Sequence, residues 1–418
     1  MTGVQGDIGV EQQLLEYGEQ IGAALIAAVP DDEPASWLYD LVRDYPMRPA
    51  KFLRPALCLA SCDAFGGTAA DVMGLAVAIE LLHNAFLVHD DIADGSFLRR
   101  GRATLHAGHG VGLAVNAGDA LAVLAQIELR RASDRYGASL ADRVANEFET
   151  MMLRTLEGQA TELGWRRDAV VDLTPEDYLD LIMRKTCWYT TVHPLRVGAL
   201  VGSGGAIDVR PMVRFGFYLG AAFQIRDDLL NLVGDEQTYG KEILGDLYEG
   251  KRTLMLIHVI SAAEGGDRAV LHDYLVMPRE RRSTDQVAEV RSMMDRYRSI
   301  DFAVDYAAGI AGAALEAFDE AFADSRRNDG YRFVRALVPY MLERTSCAAV
   351  ARPVSRPGSA VGSGRTVSST GRSVTTSRSR RRLRAGGRRR PRGSGGGSGR
   401  RARCVRSRQR ARRRSWPW

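Results

Sequence analysis

Residues 11–345 consist of segments of roughly 15–30 residues with helical periodicity, and this pattern constrains the fold more than any other feature of the chain. Glycine and proline breakers separate the segments, for example at Pro46, at Gly66 and Gly67, and at Gly265. Runs of β-branched residues and hairpin signals such as Asn-Gly are scarce. We therefore predict one large all-α domain whose helices are long enough to wall a deep cavity.

The charge of the 418-residue chain is divided between two parts. Residues 346–418 contain 22 Arg and no Lys, Asp or Glu, which leaves 35 of the 57 basic residues and all 51 acidic residues in residues 1–345. The net charge of +6 is therefore the sum of −16 on residues 1–345 and +22 on residues 346–418. The last segment is rich in Arg, Gly and Ser and too poor in large apolar residues to bury a core. We predict a folded domain over 1–345 and a disordered tail over 346–418.

Two interpretations of the tail stay open. It is either an arginine-rich arm that binds nucleic acid or another anionic surface, or an extension without function, such as the out-of-frame end of a GC-rich coding sequence. Because the basic charge belongs to the tail alone, it predicts no nucleic-acid partner for the body.

The cellular setting is indicated by what the sequence lacks. Its five cysteines have no metal-site spacing and are too few for a disulfide framework, which favours a reducing compartment. No apolar run reaches 18 residues without a charge, so we predict no membrane span. The first residues, MTGVQGDIGVEQQ, do not resemble a signal peptide, and we expect a cytoplasmic protein.

A polar stripe follows the predicted helix that contains ELLHNAFLVHDDIAD, whose other faces are apolar. At 100° per residue its members span an arc of about 120°: Glu80, His83, Asn84, Asp90, Asp91 and Asp94. A helix that is apolar on most sides is buried, so the stripe is predicted to face a polar cavity that supplies counter-charges or metals. Carboxylates in this pattern suit Mg²⁺, which binds through one or two carboxylates together with waters and substrate phosphates.

A second stripe lies in QIRDDLLNLVGD and spans about 100° of arc: Gln224, Asp227, Asp228, Asn231 and Asp235. Two such helices facing each other could hold a diphosphate through several Mg²⁺ ions. Diphosphates also need cations, because Arg gives bidentate contacts and Lys a point charge. Candidates lie close to the stripes or in short basic motifs: Lys51, Arg54, Arg99, Arg100, Lys185, Lys241 and Lys251.

These motifs resemble the trans-isoprenyl diphosphate synthases, or polyprenyl synthetases. The resemblance covers roughly residues 12–345 and rests on KFLRP, HDDIAD-x4-RRG, GQATEL, KT, FQIRDDLLN and GK-x8-GK, which occur in the order typical of the family. It implies an all-α isoprenoid synthase-type bundle around a deep central cavity, usually a homodimer. It also implies a Mg²⁺-dependent prenyltransferase, with Mn²⁺ as a possible substitute, that condenses isopentenyl diphosphate with an allylic diphosphate.

The resemblance also implies a role for each motif residue. Metal would be held by Asp90 and Asp94 of the first aspartate motif, which also contains Asp91, and by Asp227 of the second, which also contains Asp228. The allylic diphosphate would be bound by Arg99, Lys185, Lys241 and Lys251. Isopentenyl diphosphate would be bound by Lys51, Arg54, His83 and Arg100. Thr186 and Gln224 would place oxygen dipoles near the developing allylic cation.

The sequence departs from the family pattern at several positions. Asn231 stands where many members have a third aspartate, and we expect it to orient a water on Mg²⁺. Glu162 stands where aspartate is common, and Met255 where proline is frequent. His89 lies opposite the acidic stripe, so we interpret it as a core or interface histidine.

Product length is predicted from two residues that precede Asp90. In the family, bulky aromatic residues at the positions of Ala85 and Phe86 stop chain growth early. Alanine at one position and phenylalanine at the other predict an intermediate product, geranylgeranyl diphosphate (C20). Alternatives are farnesyl diphosphate or a longer chain, or that another helix sets the length. A class I terpene cyclase of the same fold, an inactive regulatory subunit and a nucleic-acid binder acting through the tail are the rival functions.

Overall fold

The computed structural model describes residues 9–234 and 243–343, and nearly all regular structure in these ranges is helical. The predicted all-α fold class is confirmed. Lys241, Asp235 and the predicted tail over 346–418 lie outside the described residues. The domain boundary at residue 345 therefore stays a prediction.

The first half of the fold contains long helices and one short hairpin. Its elements are α1 (Val10–Ala27), a π-helical turn (Ala35–Tyr39), α2 (Asp40–Asp44), α3 (Leu53–Ala64), α4 (Ala69–Asp94), β1 (Leu98–Arg99), β2 (Arg102–Ala103), α5 (Leu105–His109), α6 (Val111–Ser133) and α7 (Ala138–Arg167).

In the second half, all regular secondary structure among the described residues is helical. Its elements are α8 (Pro175–Ile182), a π-helix (Met183–Val192), α9 (His193–Gly202), α10 (Pro211–Val233), α11 (Gly245–Glu249), α12 (Leu254–Ala262), α13 (Gly265–Val276), a 3₁₀ turn (Arg279–Arg281), α14 (Thr284–Arg296), α15 (Ser299–Ala321) and α16 (Asp329–Glu343).

Helix α4 is the central element of the first half, and its ends are set by local chemistry. It begins after Thr68, whose side chain forms a reciprocal capping box with Asp71. It ends at Gly95, which adopts a left-handed φ of 63°. Between these ends it packs against α3, α6 and α9, and its apolar residues join the hydrophobic core. The acidic motif is thereby fixed on the last turns of a buried helix.

The hairpin that follows α4 presents two arginines on a tight turn. Arg100 and Gly101 both have positive φ angles, 52° and 72°. Arg48 fastens the hairpin by donating to the carbonyl oxygen of Arg99 at 2.8 Å and to that of Ala103 at 2.6 Å. The backbone of the hairpin is therefore held from the segment that follows α2.

A π-helix interrupts the run from α8 to α9 and carries Lys185 and Thr186. Helix α7 packs against it at Gly158, where a Cβ atom would lie 2.3 Å from the backbone nitrogen of Lys185. Glycine is required there because the two backbones approach so closely. Departures from regular α-helix of the π type are frequent at functional sites.

Two described helices, α4 and α6, are long and apolar enough to span a membrane when judged by length and composition alone. In α4, 72% of the apolar window is buried inside the protein, so these residues serve the core. In α6 only 33% is buried. The prediction of no membrane span stays a prediction.

Candidate active site

A single cavity of about 470 Å³ gathers most of the predicted site residues. The last turns of α4 and the middle of α10 both line it, together with α3, the hairpin and the π-helix. The predicted residues in its wall are Lys51, Arg54, His83, Asp90, Asp94, Arg99, Arg100, Lys185, Thr186, Gln224, Asp227, Asp228 and Lys251. Ala85, Phe86 and Asp91 do not line it.

The first acidic stripe is divided between two environments, which corrects the expectation of one polar face. Asp90 and Asp94 line the cavity, whereas Asp91 is fully buried outside it. Asp91 accepts hydrogen bonds from the Tyr45 hydroxyl and from the Arg99 guanidinium. Asn84, at the same edge of the stripe, donates to the Glu80 carbonyl oxygen at 2.7 Å. Asp91 thus holds Arg99 rather than facing the cavity itself.

Asp94 is surrounded by cations in this structure. Lys251 Nζ lies 2.9 Å from Asp94 Oδ2, and Arg166 Nη1 lies 2.7 Å from Asp94 Oδ1. Burial alone would raise the pKa of Asp94, but Lys251, Lys185 and Arg166 outweigh it and lower that pKa. By contrast, burial raises the pKa of Asp90, although Lys185 partly opposes this. The two cavity-lining carboxylates of the first motif therefore differ in electrostatic environment.

The second stripe is connected by a chain of hydrogen bonds. Thr186 Oγ1 donates to Gln224 Oε1 at 3.0 Å, and Gln224 Nε2 donates to Asp228 Oδ1 at 2.6 Å. Tyr178 donates its hydroxyl to Asp228 Oδ2 at 2.9 Å. Burial and the nearby charges of Asp246 and Asp227 raise the pKa of Asp228 well above its ordinary value. These donors orient the carboxylate of Asp228 and partly offset the cost of its burial.

Asn231, which we expected to orient a water on Mg²⁺, lies outside the cavity wall. Its Oδ1 accepts a hydrogen bond from the backbone N–H of Asp246 at 3.1 Å. Asn231 is 3% exposed, so this contact fastens the start of α11 to α10. The structure therefore indicates a role in positioning the Asp246 segment rather than in orienting a metal-bound water.

Lys185 reaches the cavity with a carboxylate partner of its own. Its Nζ lies 2.7 Å from Oε2 of Glu162, the residue that replaces the aspartate common in the family. Burial lowers the pKa of Lys185, but Glu162 and Asp90 outweigh it and raise that pKa above its ordinary value. The longer glutamate side chain thus reaches the lysine and keeps it charged.

The remaining cations gather around aromatic and acidic side chains. Arg54 donates to His83 Nε2 at 3.3 Å and to the Tyr189 hydroxyl at 2.9 Å, with its guanidinium 4.4 Å from the Tyr189 ring centre. Burial lowers the pKa of Arg100 to about 10, with a partial opposing effect from buried Glu80. Arg54 is therefore oriented by ring and hydroxyl contacts as well as by charge.

The carboxylates can be tested for their fit to Mg²⁺. Among the described residues, no three His, Cys, Asp or Glu side chains are gathered closely enough to form a complete metal cage. Asp90, Asp94 and Asp227 nevertheless line one cavity, in which cations also stand. Mg²⁺ keeps several waters and binds through few carboxylates plus substrate phosphates, so this oxygen donor set fits it without a prebuilt cage.

A sequence profile described as polyprenyl synthetase matches residues 35–294. The chain belongs to this family. The short chain isoprenyl diphosphate synthase of Methanothermobacter thermautotrophicus is 32% identical over 294 residues, which cover 70% of this chain and 86% of that relative. The geranylgeranyl diphosphate synthase of Sulfolobus acidocaldarius is 32% identical over 270 residues, 65% of this chain and 80% of that relative.

Solved structures of polyprenyl synthetases agree with the helical arrangement. The geranylgeranyl pyrophosphate synthetase of Pyrococcus horikoshii matches with a TM-score of 0.70 and 29% identity, covering 80% of this chain and 98% of that one. The predicted family, the isoprenoid synthase-type bundle and the trans-prenyltransferase class of this polyprenyl synthetase are confirmed.

Several residues of this synthetase site were not predicted from its sequence. They are Tyr178, Tyr189, Asp246, Glu249 and Arg166. Asp246 and Glu249 lie in DLYEGK, immediately before a predicted lysine, and their charges were a usable signal. Tyr178 lies far from any motif, whereas Arg166 and Tyr189 lie three residues beyond the GQATEL and KT motifs. The packing of α7, α8 and the π-helix brings all three to the site.

Proposed function

We propose that this polyprenyl synthetase condenses isopentenyl diphosphate with an allylic diphosphate and releases geranylgeranyl diphosphate as its main product. One observation carries the proposal: two acidic helices and two groups of cations line the same cavity. A cavity built for one diphosphate would need one such group. The second group therefore favours a synthase over a terpene cyclase of the same fold.

The allylic diphosphate is assigned to the acidic end of the cavity. Asp90, Asp94 and Asp227 would hold Mg²⁺, or Mn²⁺ in its place, which supplies Lewis-acid stabilisation of the leaving diphosphate. Lys185 and Lys251 stay charged beside their carboxylate partners and balance the negative charge that develops as the carbon–oxygen bond breaks. Arg99, held by Asp91, and Lys241, which lies outside the described residues, belong to the same group.

Isopentenyl diphosphate is assigned to the second group of cations. Arg54 has a fixed orientation against Tyr189, and His83 lies beside it. Arg100 enters the cavity from the tight turn of the hairpin, and Lys51 lies on the segment leading into α3. These side chains would bind the diphosphate and direct the double bond of the substrate toward the allylic carbon.

The allylic cation forms between these two groups. The oxygen atoms of Thr186 and Gln224 line this part of the cavity, and their dipoles would stabilise positive charge. Attack by the double bond joins the two chains, and loss of a proton, with the departing diphosphate as acceptor, restores neutrality at carbon. The hydrogen bonds from Gln224 and Tyr178 to Asp228 keep these groups in place during the reaction.

Product length is assigned to the face of α4 below Asp90. Ala85 is buried, and the ring of Phe86 meets the ring of Tyr189 edge to face, with centres 5.7 Å apart. Tyr189 lines the cavity, so Phe86 acts on the cavity wall through it. Because Ala85 is small, it leaves more room for the growing chain than an aromatic residue would. The Phe86–Tyr189 pair still limits that room, so the arrangement favours a C20 product over C15.

We also propose that the synthetase is a cytoplasmic homodimer. Large apolar side chains are exposed along α6 and α7: Val111, Leu113, Val115, Val123, Leu153, Leu156 and Leu163. Exposed apolar surface of this kind is typical of protein–protein contacts. His89 lies half-exposed beside Asp119 of α6, consistent with its interpretation as an interface histidine. The free cysteines among the described residues, Cys58, Cys62 and Cys187, suit a reducing compartment.

Product analysis by mass spectrometry tests the proposed function. Purified protein is given isopentenyl diphosphate, Mg²⁺ and each allylic primer in turn. We expect a C20 diphosphate as the main product. A hydrocarbon released from a single allylic diphosphate would indicate a cyclase, and no product with any primer would indicate an inactive subunit.

A further inference from the structure

Each carboxylate oxygen of Asp94 forms an ion pair with a cationic side chain. Arg166 contacts Oδ1 and Lys251 contacts Oδ2, and Arg279 also donates to the Asp94 carbonyl oxygen at 2.8 Å. The side chain of Asp94 is only 5% exposed and that of Arg166 only 17%. Solvent therefore screens this ion pair weakly.

Arg166 differs from Lys251 in the number of carboxylates with which it forms ion pairs. Lys251 also lies 2.7 Å from Glu249 and 3.3 Å from Asp246, so its charge is divided among three carboxylates. Arg166 comes from the last turn of α7, and its ion pair is with Asp94. Its neighbour in sequence, Arg167, is 79% exposed and pairs with the adjacent Asp168. Arg166 is thus largely buried beside Asp94, whereas Arg167 is exposed to solvent.

A guanidinium in this position competes with a metal ion in two ways. It reduces the negative charge that attracts the metal, and it engages the oxygen lone pairs that a metal would use. For Asp94 to bind a metal through Oδ1, the contact with Arg166 must break. Resting on the proposed function, we propose that Arg166 is an internal counter-ion of Asp94 that weakens metal binding to the substrate-free enzyme.

Binding of Mn²⁺ to the full chain without substrate, measured by electron paramagnetic resonance of the free ion, tests this proposal. We expect Arg166→Gln and Arg166→Met to bind Mn²⁺ about fivefold more tightly than the wild type, as suits the loss of one weakly screened ion pair. Arg166→Lys keeps the charge and should remain close to the wild type. Arg167→Gln is the matched control and should leave the dissociation constant unchanged.

The position of Arg166 makes these variants suitable, since it lies in the last turn of α7 and its side chain keeps some exposure to solvent. Circular dichroism verifies that each variant keeps its helical content. Unchanged or weaker Mn²⁺ binding in both neutral variants would overturn the proposal. Asp94→Asn separates this outcome from a failure of the proposed metal site: if it does not weaken Mn²⁺ binding, Asp94 is not a ligand, and the proposal for Arg166 also falls.

Discussion

At the scale of single residues, the cations of the cavity fall into two groups with different partners. Lys185 and Lys251 each face carboxylates within 2.9 Å. Arg54 contacts a histidine and a tyrosine, and Arg100 is half-buried near the buried Glu80. Each group can therefore bind a diphosphate in a different electrostatic setting, and the two groups should respond differently to substitution.

Alanine substitutions should separate the two diphosphate sites. We expect Arg54→Ala and Arg100→Ala chiefly to raise KM for isopentenyl diphosphate, by about tenfold or more, because a charge-assisted contact is lost. Lys185→Ala and Lys251→Ala should chiefly impair use of the allylic substrate. Arg102→Ala, an exposed arginine on the same hairpin, is the control. Steady-state kinetics with each substrate varied would contradict the assignment if all four variants affected both substrates equally.

Most of the residues chosen from the sequence line the cavity, but the sequence did not fix the rotation of α4. A wheel at 100° per residue puts Asp90 and Asp91 on one arc, yet the packing of Tyr45 and Arg99 takes Asp91 out of the cavity. Arg166 could not be found, since nothing in the sequence of α7 indicates that its last turn meets the last turn of α4. Such contacts depend on tertiary packing alone.

At the scale of elements, α4 lines the cavity and carries two of the proposed metal-binding residues, Asp90 and Asp94. We expect Ala85→Phe to shift the product toward C15, because a second ring would narrow the space below Asp90. Phe86→Ala should lengthen the product, because the ring that supports Tyr189 is removed. Chromatography of the hydrolysed products measures both changes. If neither variant alters the product distribution, product length is set elsewhere.

The π-helix and α9 were predicted only as helical, because helical periodicity does not reveal an extra residue in a turn. The junction between them places His193 in the core, where both ring nitrogens lack a hydrogen-bond partner within the described part of the chain. Its ring meets Phe148 edge to face, with centres 4.3 Å apart. Burial, with a smaller effect of Arg196, lowers the pKa of His193 to about 3.

This buried histidine should make the fold acid-sensitive. The unfolded chain takes up the proton first as the pH falls below about 6.5, so the free energy of unfolding decreases between about pH 6.5 and pH 3. At pH 5 the expected loss is about 2 kcal/mol. Urea unfolding of the wild type and His193→Gln at pH 7.5 and pH 5 measures the difference in pH dependence. An identical pH dependence in the two proteins would contradict the assignment.

At the scale of the whole molecule, charge is divided between an acidic body and an arginine-rich tail. Removal of residues 346–418 should leave the kinetics unchanged within about twofold, since a segment that cannot bury a core has little to dock with. Rate assays on the full chain and on residues 1–345 measure this. A large loss of activity or solubility would show that the tail contributes to the folded enzyme.

The central claim is that two facing acidic helices act together on one diphosphate. Asp90→Asn and Asp227→Asn each keep the shape of the side chain and remove its charge, while Asp273→Asn, at an exposed position of α13, is the control. The decisive measurement is the rate of condensation at saturating substrate and Mg²⁺, with helical content verified by circular dichroism. Both variants should lose at least about 100-fold in turnover, and the control none. Near-normal turnover in either folded variant would contradict the claim.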